Sequence, residues 1–148
     1  MIRRVAGTRR GVFGGLLAVA LVALAVGVAQ ALAGTGTATS PILRYNDTCG
    51  GNNGKSAFGS VTFTKIDKTT LRTAIQLNGA TPSMTYDAII WNGACNDHLF
   101  LGSFKTGSDG SGNRSFTIST GGYESFFVFV EPHGQGVWGE SVTVQVDG

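Results

Sequence analysis

The feature that most constrains this chain is a period of two. Leu71, Thr73, Ile75 and Leu77 alternate with Arg72, Ala74 and Gln76, which puts one set of side chains on each face of a strand. Val61 and Phe63 alternate with Thr62 and Thr64, and Val142, Val144 and Val146 with Ser141, Thr143 and Gln145. Tyr86, Ala88 and Ile90 take the inward positions of a further strand. Helical periodicity is absent from Gly34 onward. Turn chemistry separates the runs: Asp67-Lys68-Thr69, Asn78-Gly79 with Pro82, and Gly107–Asn113, where Asp109-Gly110 supplies the positive φ of a tight hairpin.

Shorter runs complete the set. Ile42–Tyr45 reads as a first strand, and Asn46–Lys55 as a Gly- and Asn-rich loop carrying Cys49. Leu99, Leu101 and Phe104 follow Cys95 on a strand, and Phe116 and Ile118 lie on the next. Glu124–Val130 is almost entirely apolar, so it is expected to be central with both faces covered. Seven to eight short strands at roughly 8–12-residue spacing predict an all-β domain, an Ig-like antiparallel β-sandwich of Greek-key type, over residues 41–148.

The N-terminus obeys different rules. Arg3, Arg4, Arg9 and Arg10 precede an uncharged run from Gly11 to Ala29, which ends in Ala29-Gln30-Ala31-Leu32-Ala33. Basic, apolar, then small residues is the order of a signal peptide, predicted over residues 1–33 with its apolar part as a signal helix and cleavage after Ala33. The alternative is an uncleaved anchor, because residues 11–29 could span ~30 Å of hydrocarbon as a helix. The glycines in the run and the small residues that close it favour cleavage. Residues 34–40 are small and polar and are expected to form a flexible lead-in.

Losing the leader inverts the charge. The four leader arginines leave seven of the eleven basic residues to balance nine acids, so a formal charge of +2 becomes −2. No cationic patch remains for a phosphate backbone, so nucleic acid is not an expected partner. Outside the cytoplasm, the two cysteines read as one disulfide, Cys49–Cys95. Closing that loop would constrain the unfolded chain by about 4 kcal/mol. Both cysteines fall in loops flanking strands, so the bond is expected to tie loop to loop.

One resemblance follows from particular residues. Leu77-Asn78-Gly79-Ala80-Thr81-Pro82 and Tyr86 form a turn before a strand. Leu101-Gly102-Ser103-Phe104-Lys105-Thr106 and Asp109-Gly110-Ser111-Gly112 form a hairpin after Cys95. Together these resemble small secreted actinobacterial-type β-sandwich proteins of unknown function. The resemblance covers about half of the chain after the leader. It implies the fold and export, and no activity.

The chemistry-bearing residues are sparse. Cys95-x-x-His98 has the spacing of half a metal site, but a cysteine in a disulfide is no ligand, and no metal or cofactor is expected. The Ser108–Asn113 loop lacks the carboxylates of a calcium site. There is no Gly-x-Ser-x-Gly elbow, and adjacent Asp97 and His98 would point to opposite faces of a strand, so no catalytic residue is assigned. An enzyme would require Asp97, His98 or His133 to converge with another polar group.

Aromatic residues are the most suggestive feature. Trp91, Tyr123 and Trp138 sit near strand ends or loops, where they either plug the core or anchor a ligand. These residues predict a secreted, non-enzymatic domain that binds a protein or a surface glycan. The alternatives are a small-ligand carrier, an inhibitor of a secreted enzyme, and a surface protein held by an uncleaved leader. A carrier would need a concave apolar cleft.

Overall fold

Inward-facing Leu71, Thr73, Ile75 and Leu77 are buried, while Arg72 and Gln76 are exposed, as the alternation requires. The same logic builds the rest of the domain. A computed structural model describes residues 36–53 and 55–147. The expected leader, residues 1–33, lies outside them.

The described residues form an all-β, antiparallel structure of nine strands: β1 Thr37–Arg44, β2 Ala57–Lys65, β3 Thr70–Leu77, β4 Thr85–Asn92, β5 His98–Lys105, β6 Gly112–Ser119, β7 Ser125–Pro132, β8 Gly139–Ser141 and β9 Val144–Gln145. Their order is β5-β4-β7-β8-β1-β2-β3-β6, with β9 on β7. The three-residue β8 joins the β5-β4-β7 group to the β1-β2-β3-β6 group through its pairing with both β7 and β1. One continuous sheet therefore rolls until its end strands, β5 and β6, come together, giving a nearly closed, barrel-like shape.

The core lies inside the roll. Tyr86, Phe63, Phe58, Ile42 and Val128 are among its fully buried members, and each large apolar side chain removed from water contributes roughly 1.5–3 kcal/mol. The Tyr86 hydroxyl donates to the Val137 carbonyl at 2.7 Å and accepts the Thr81 amide at 3.0 Å, so its polar tip is satisfied. β7 runs between β4 and the short strands β8 and β9 with five of its eight residues buried and two half-buried, in line with its apolar composition.

The lead-in expected over residues 34–40 needs correction. From Thr37 onward it is strand, with Thr37 to Ser40 in register with Thr64 to Val61. Ala38 and Ser40 are buried, and the Thr39 and Thr62 hydroxyls bond at 2.9 Å across the pair. Small side chains hid a strand whose stability comes from its neighbour, with threonine well suited to the pleated surface.

β5 and β6 close the roll only in part. Near their hairpin, Gly102 stands against Phe116: a Cβ there would lie 3.0 Å from the ring, and its φ of 138° is glycine's own. No ladder joins the two strands among the described residues. Leu99 pairs with Ile90, which is 4% exposed, so register points Leu99 inward. It is nevertheless 46% exposed, because β6 does not cover it.

Candidate functional site

The partial closure leaves a cavity of about 400 Å³ at the mouth of the roll, between Leu99 of β5 and Ile118 of β6. Core residues Ile90 and Phe126 form its floor. Asp97, Tyr123 and Trp91 stand at its rim, with Tyr123 46% exposed.

A second site lies on the outward face of β5-β4-β7. A bulge between Phe100 and Gly102 flips the alternation of β5. Phe100 is thereby set opposite Ile89, and Ile89 opposite Phe129, all facing out. In the next row His98 opposes Trp91, and Trp91 opposes Phe127. The Trp91 and His98 rings stack at 4.3 Å, and Trp91 lies parallel to Phe127 at 6.2 Å. Trp138 packs against Phe129 at 5.7 Å and edge-on against Tyr45 at 5.5 Å, extending the aromatic surface. Phe100 is 56% exposed. A sheet face turned to solvent is ordinarily polar, whereas this one is contiguous and aromatic.

The β1–β2 loop folds over part of this face. Its Cys49 bonds to Cys95 of the β4–β5 loop, with Cα atoms 5.9 Å apart, so the disulfide does tie loop to loop. Such bonds form in oxidising compartments. Gly50, at a φ of 73°, packs so closely on Phe127 and Thr143 that a Cβ would strike both. Under the loop lies Glu140 of β8, 3% exposed. Its Oε1 accepts the Thr48 amide at 2.7 Å, the Gly50 amide at 3.0 Å and the Asn46 Nδ2 at 3.3 Å. Between loop and sheet is a cleft of about 390 Å³, bounded by the disulfide, Trp91, Phe129 and Glu140.

One polar cluster borders the aromatic face. Asp87 accepts the Ser103 hydroxyl at 2.5 Å on Oδ1 and lies 2.6 Å from His133 Nε2 through Oδ2. Desolvation pushes this carboxyl up. The Ser103 bond, and His133 through both its bond and its charge, outweigh that and hold it below the ordinary value of 3.8. His133 thus does meet another polar group. The carboxylate stands between serine and imidazole, so the serine proton faces Asp87 rather than a histidine nitrogen, unlike a nucleophile–base pair. Asp97 and His98 stay apart from this cluster, at the mouth.

Among the described residues, no three His, Cys, Asp or Glu side chains gather as metal ligands, and no helix is long and apolar enough to cross a membrane. In the Gly107–Asn113 loop, Asp109 bonds the Ser111 amide at 3.0 Å and the Ser111 hydroxyl at 2.7 Å, and these lower its pKa in that order.

Of the three aromatics singled out by sequence, Trp91 and Trp138 share the outward face, and Tyr123 joins Trp91 at the mouth instead. Sequence reasoning missed Phe100, Phe129, Tyr45 and Glu140. A bulge is invisible to strict alternation, which hid the direction of Phe100, and no local pattern marks Glu140 as buried. No known protein-family model matches the chain, and no curated protein does so significantly.

Proposed function

We propose that this is a secreted, extracellular, non-enzymatic domain that binds a protein partner through the aromatic outward face of β5-β4-β7. The observation that carries the reading is the exposed row of Phe100, Ile89 and Phe129, continued by Trp138 and Tyr45. Asp47 and Glu131 flank its Trp91–Phe129 part, while Lys55 stands 5.7 Å over the Tyr45 ring, so the fitting partner is apolar at the centre and basic where it meets those two acids. A protein suits this face better than a glycan. Sugar stacking needs open ring faces, and Trp91 has one covered by His98 and the other facing Phe127. Export is supported by the basic-apolar-small leader and by the disulfide. We read the two strand groups as the layers of an Ig-like Greek-key sandwich, bridged by β8 and open at the β5–β6 seam.

A photo-crosslinking residue at position 100, compared with one at Thr62 on the outward face of β2, across the roll from β4, tests the interface against extracellular proteins. A discrete adduct from position 100 alone is expected, and Phe129→Ser should abolish it. Equal labelling from both positions would overturn the reading, as would binding to cell-wall polysaccharide that Phe100→Ser removes.

The small-ligand carrier is the second reading. It rests on the cavity of about 400 Å³ at the mouth and on the exposure of inward-facing Leu99.

A further inference from the structure

The cleft under the disulfide combines properties that select one kind of ligand. Its volume, about 390 Å³, suits a small organic group. Ile89, Trp91, Phe127 and Phe129 form apolar and aromatic walls, and three acids, Asp47, Glu131 and Glu140, border it. No basic side chain lines it among the described residues.

Glu140 supplies an independent observation. It is 3% exposed, and among the described residues every hydrogen bond to its carboxyl falls on Oε1. Oε2 has none of them, and no cation pairs with the group. The carboxyl is thus hydrogen-bonded on Oε1 but has no counter-charge among the described residues, and a cation in the cleft would supply one.

We infer that this cleft binds an organic cation, an alkylammonium or guanidinium group. Such cations are weakly hydrated and are held by carboxylates set against apolar and aromatic surface; here Phe129 offers the ring, since His98 and Phe127 lie against the two faces of Trp91. A metal ion fits poorly, because it needs oxygens converging at about 2.0–2.6 Å, and these acids form no such cluster among the described residues. The cation arrives either on a lysine or arginine of the docked partner or as a free amine. Only the first source rests on the docking reading above.

The test uses the disulfide-intact protein and follows the Trp91 indole N–H by NMR, with Trp138→Phe to assign it. The probes are Nα-acetyl-arginine amide and Nα-acetyl-lysine amide, with Nα-acetyl-norleucine amide as the neutral analogue. The cationic probes should give a saturable shift with affinity about tenfold above the neutral one. Glu140→Gln and, because Glu140 also holds the loop, the exposed Glu131→Gln should each weaken binding several-fold, while Asp109→Asn leaves it unchanged. Equal binding of the neutral probe, no saturable shift, or full affinity in Glu131→Gln together with a folded Glu140→Gln would overturn the inference.

The two proposals fail separately. Amide binding that survives without any position-100 crosslink leaves the cation site standing and removes the docking face. The crosslink without amide binding does the reverse. An arginine peptide that exceeds the amide in the wild type but not in Phe100→Ser identifies the partner as the source. A simple alkyldiamine that binds more tightly than either identifies a free amine.

Discussion

Glu140 Oε1 accepts the backbone amide of Thr48 at 2.7 Å, across 92 positions of sequence. That bond, with those from Gly50 and Asn46, places the disulfide loop over the outward face and forms the roof of the cleft.

Removing the acceptor should therefore destabilise the whole domain. Glu140→Ala strands two backbone amides under the loop, and unsatisfied buried donors cost roughly 1–3 kcal/mol each. A total loss of about 3 kcal/mol is expected in denaturant unfolding. Glu140→Gln keeps one carbonyl acceptor and should lose about 1 kcal/mol. Equal losses from both variants would show that the loop is held by something other than this acceptor.

The Cys49–Cys95 bond joins two loops outside the core, so its loss should lower stability without dissolving the sheet. Replacing both cysteines with serine is expected to cost about 4 kcal/mol on the chain-entropy account. The denaturation midpoint should fall, and the far-ultraviolet β spectrum without denaturant should persist. A spectrum of an unfolded chain would instead make the bond a condition of folding.

Asp87 sets an acid-side prediction. Its folded pKa lies below the ordinary 3.8. Its contribution to stability is then fully present above the unfolded value and is lost as pH falls through the lower folded one. Stability should decline below about pH 4, and Asp87→Asn should make that decline shallower. Unfolding midpoints measured from pH 7 to pH 2 decide this. Identical slopes in wild type and variant would remove Asp87 from the account.

Much of the fold was legible in the residues. The strand that became β3 announced its buried face, and the apolar run that became β7 announced its central position. The link between Cys49 and Cys95 followed from their number and expected compartment. Thr37–Ser40 escaped because threonine, alanine and serine carry no strong inward signal, and only pairing with β2 makes them strand.

The site was less legible. Trp91 and Trp138 were singled out as aromatics, but nothing local indicated that they share a face with Phe100 and Phe129.

The sequence by itself determined much of what repeats along the chain: most of the strand segments, which of their side chains are apolar, where the turns fall, and that the two cysteines form a pair. Period and turn chemistry act between near neighbours, so they can be read in order. Only the tertiary structure decided what depends on distant partners. Strand order left β5 and β6 without a ladder between them and so exposed Leu99. The bulge in β5 turned Phe100 outward. The fold brought Glu140 beneath a loop 92 positions away. Register, closure and burial depend on which strands meet, and that is a property of the assembled sheet.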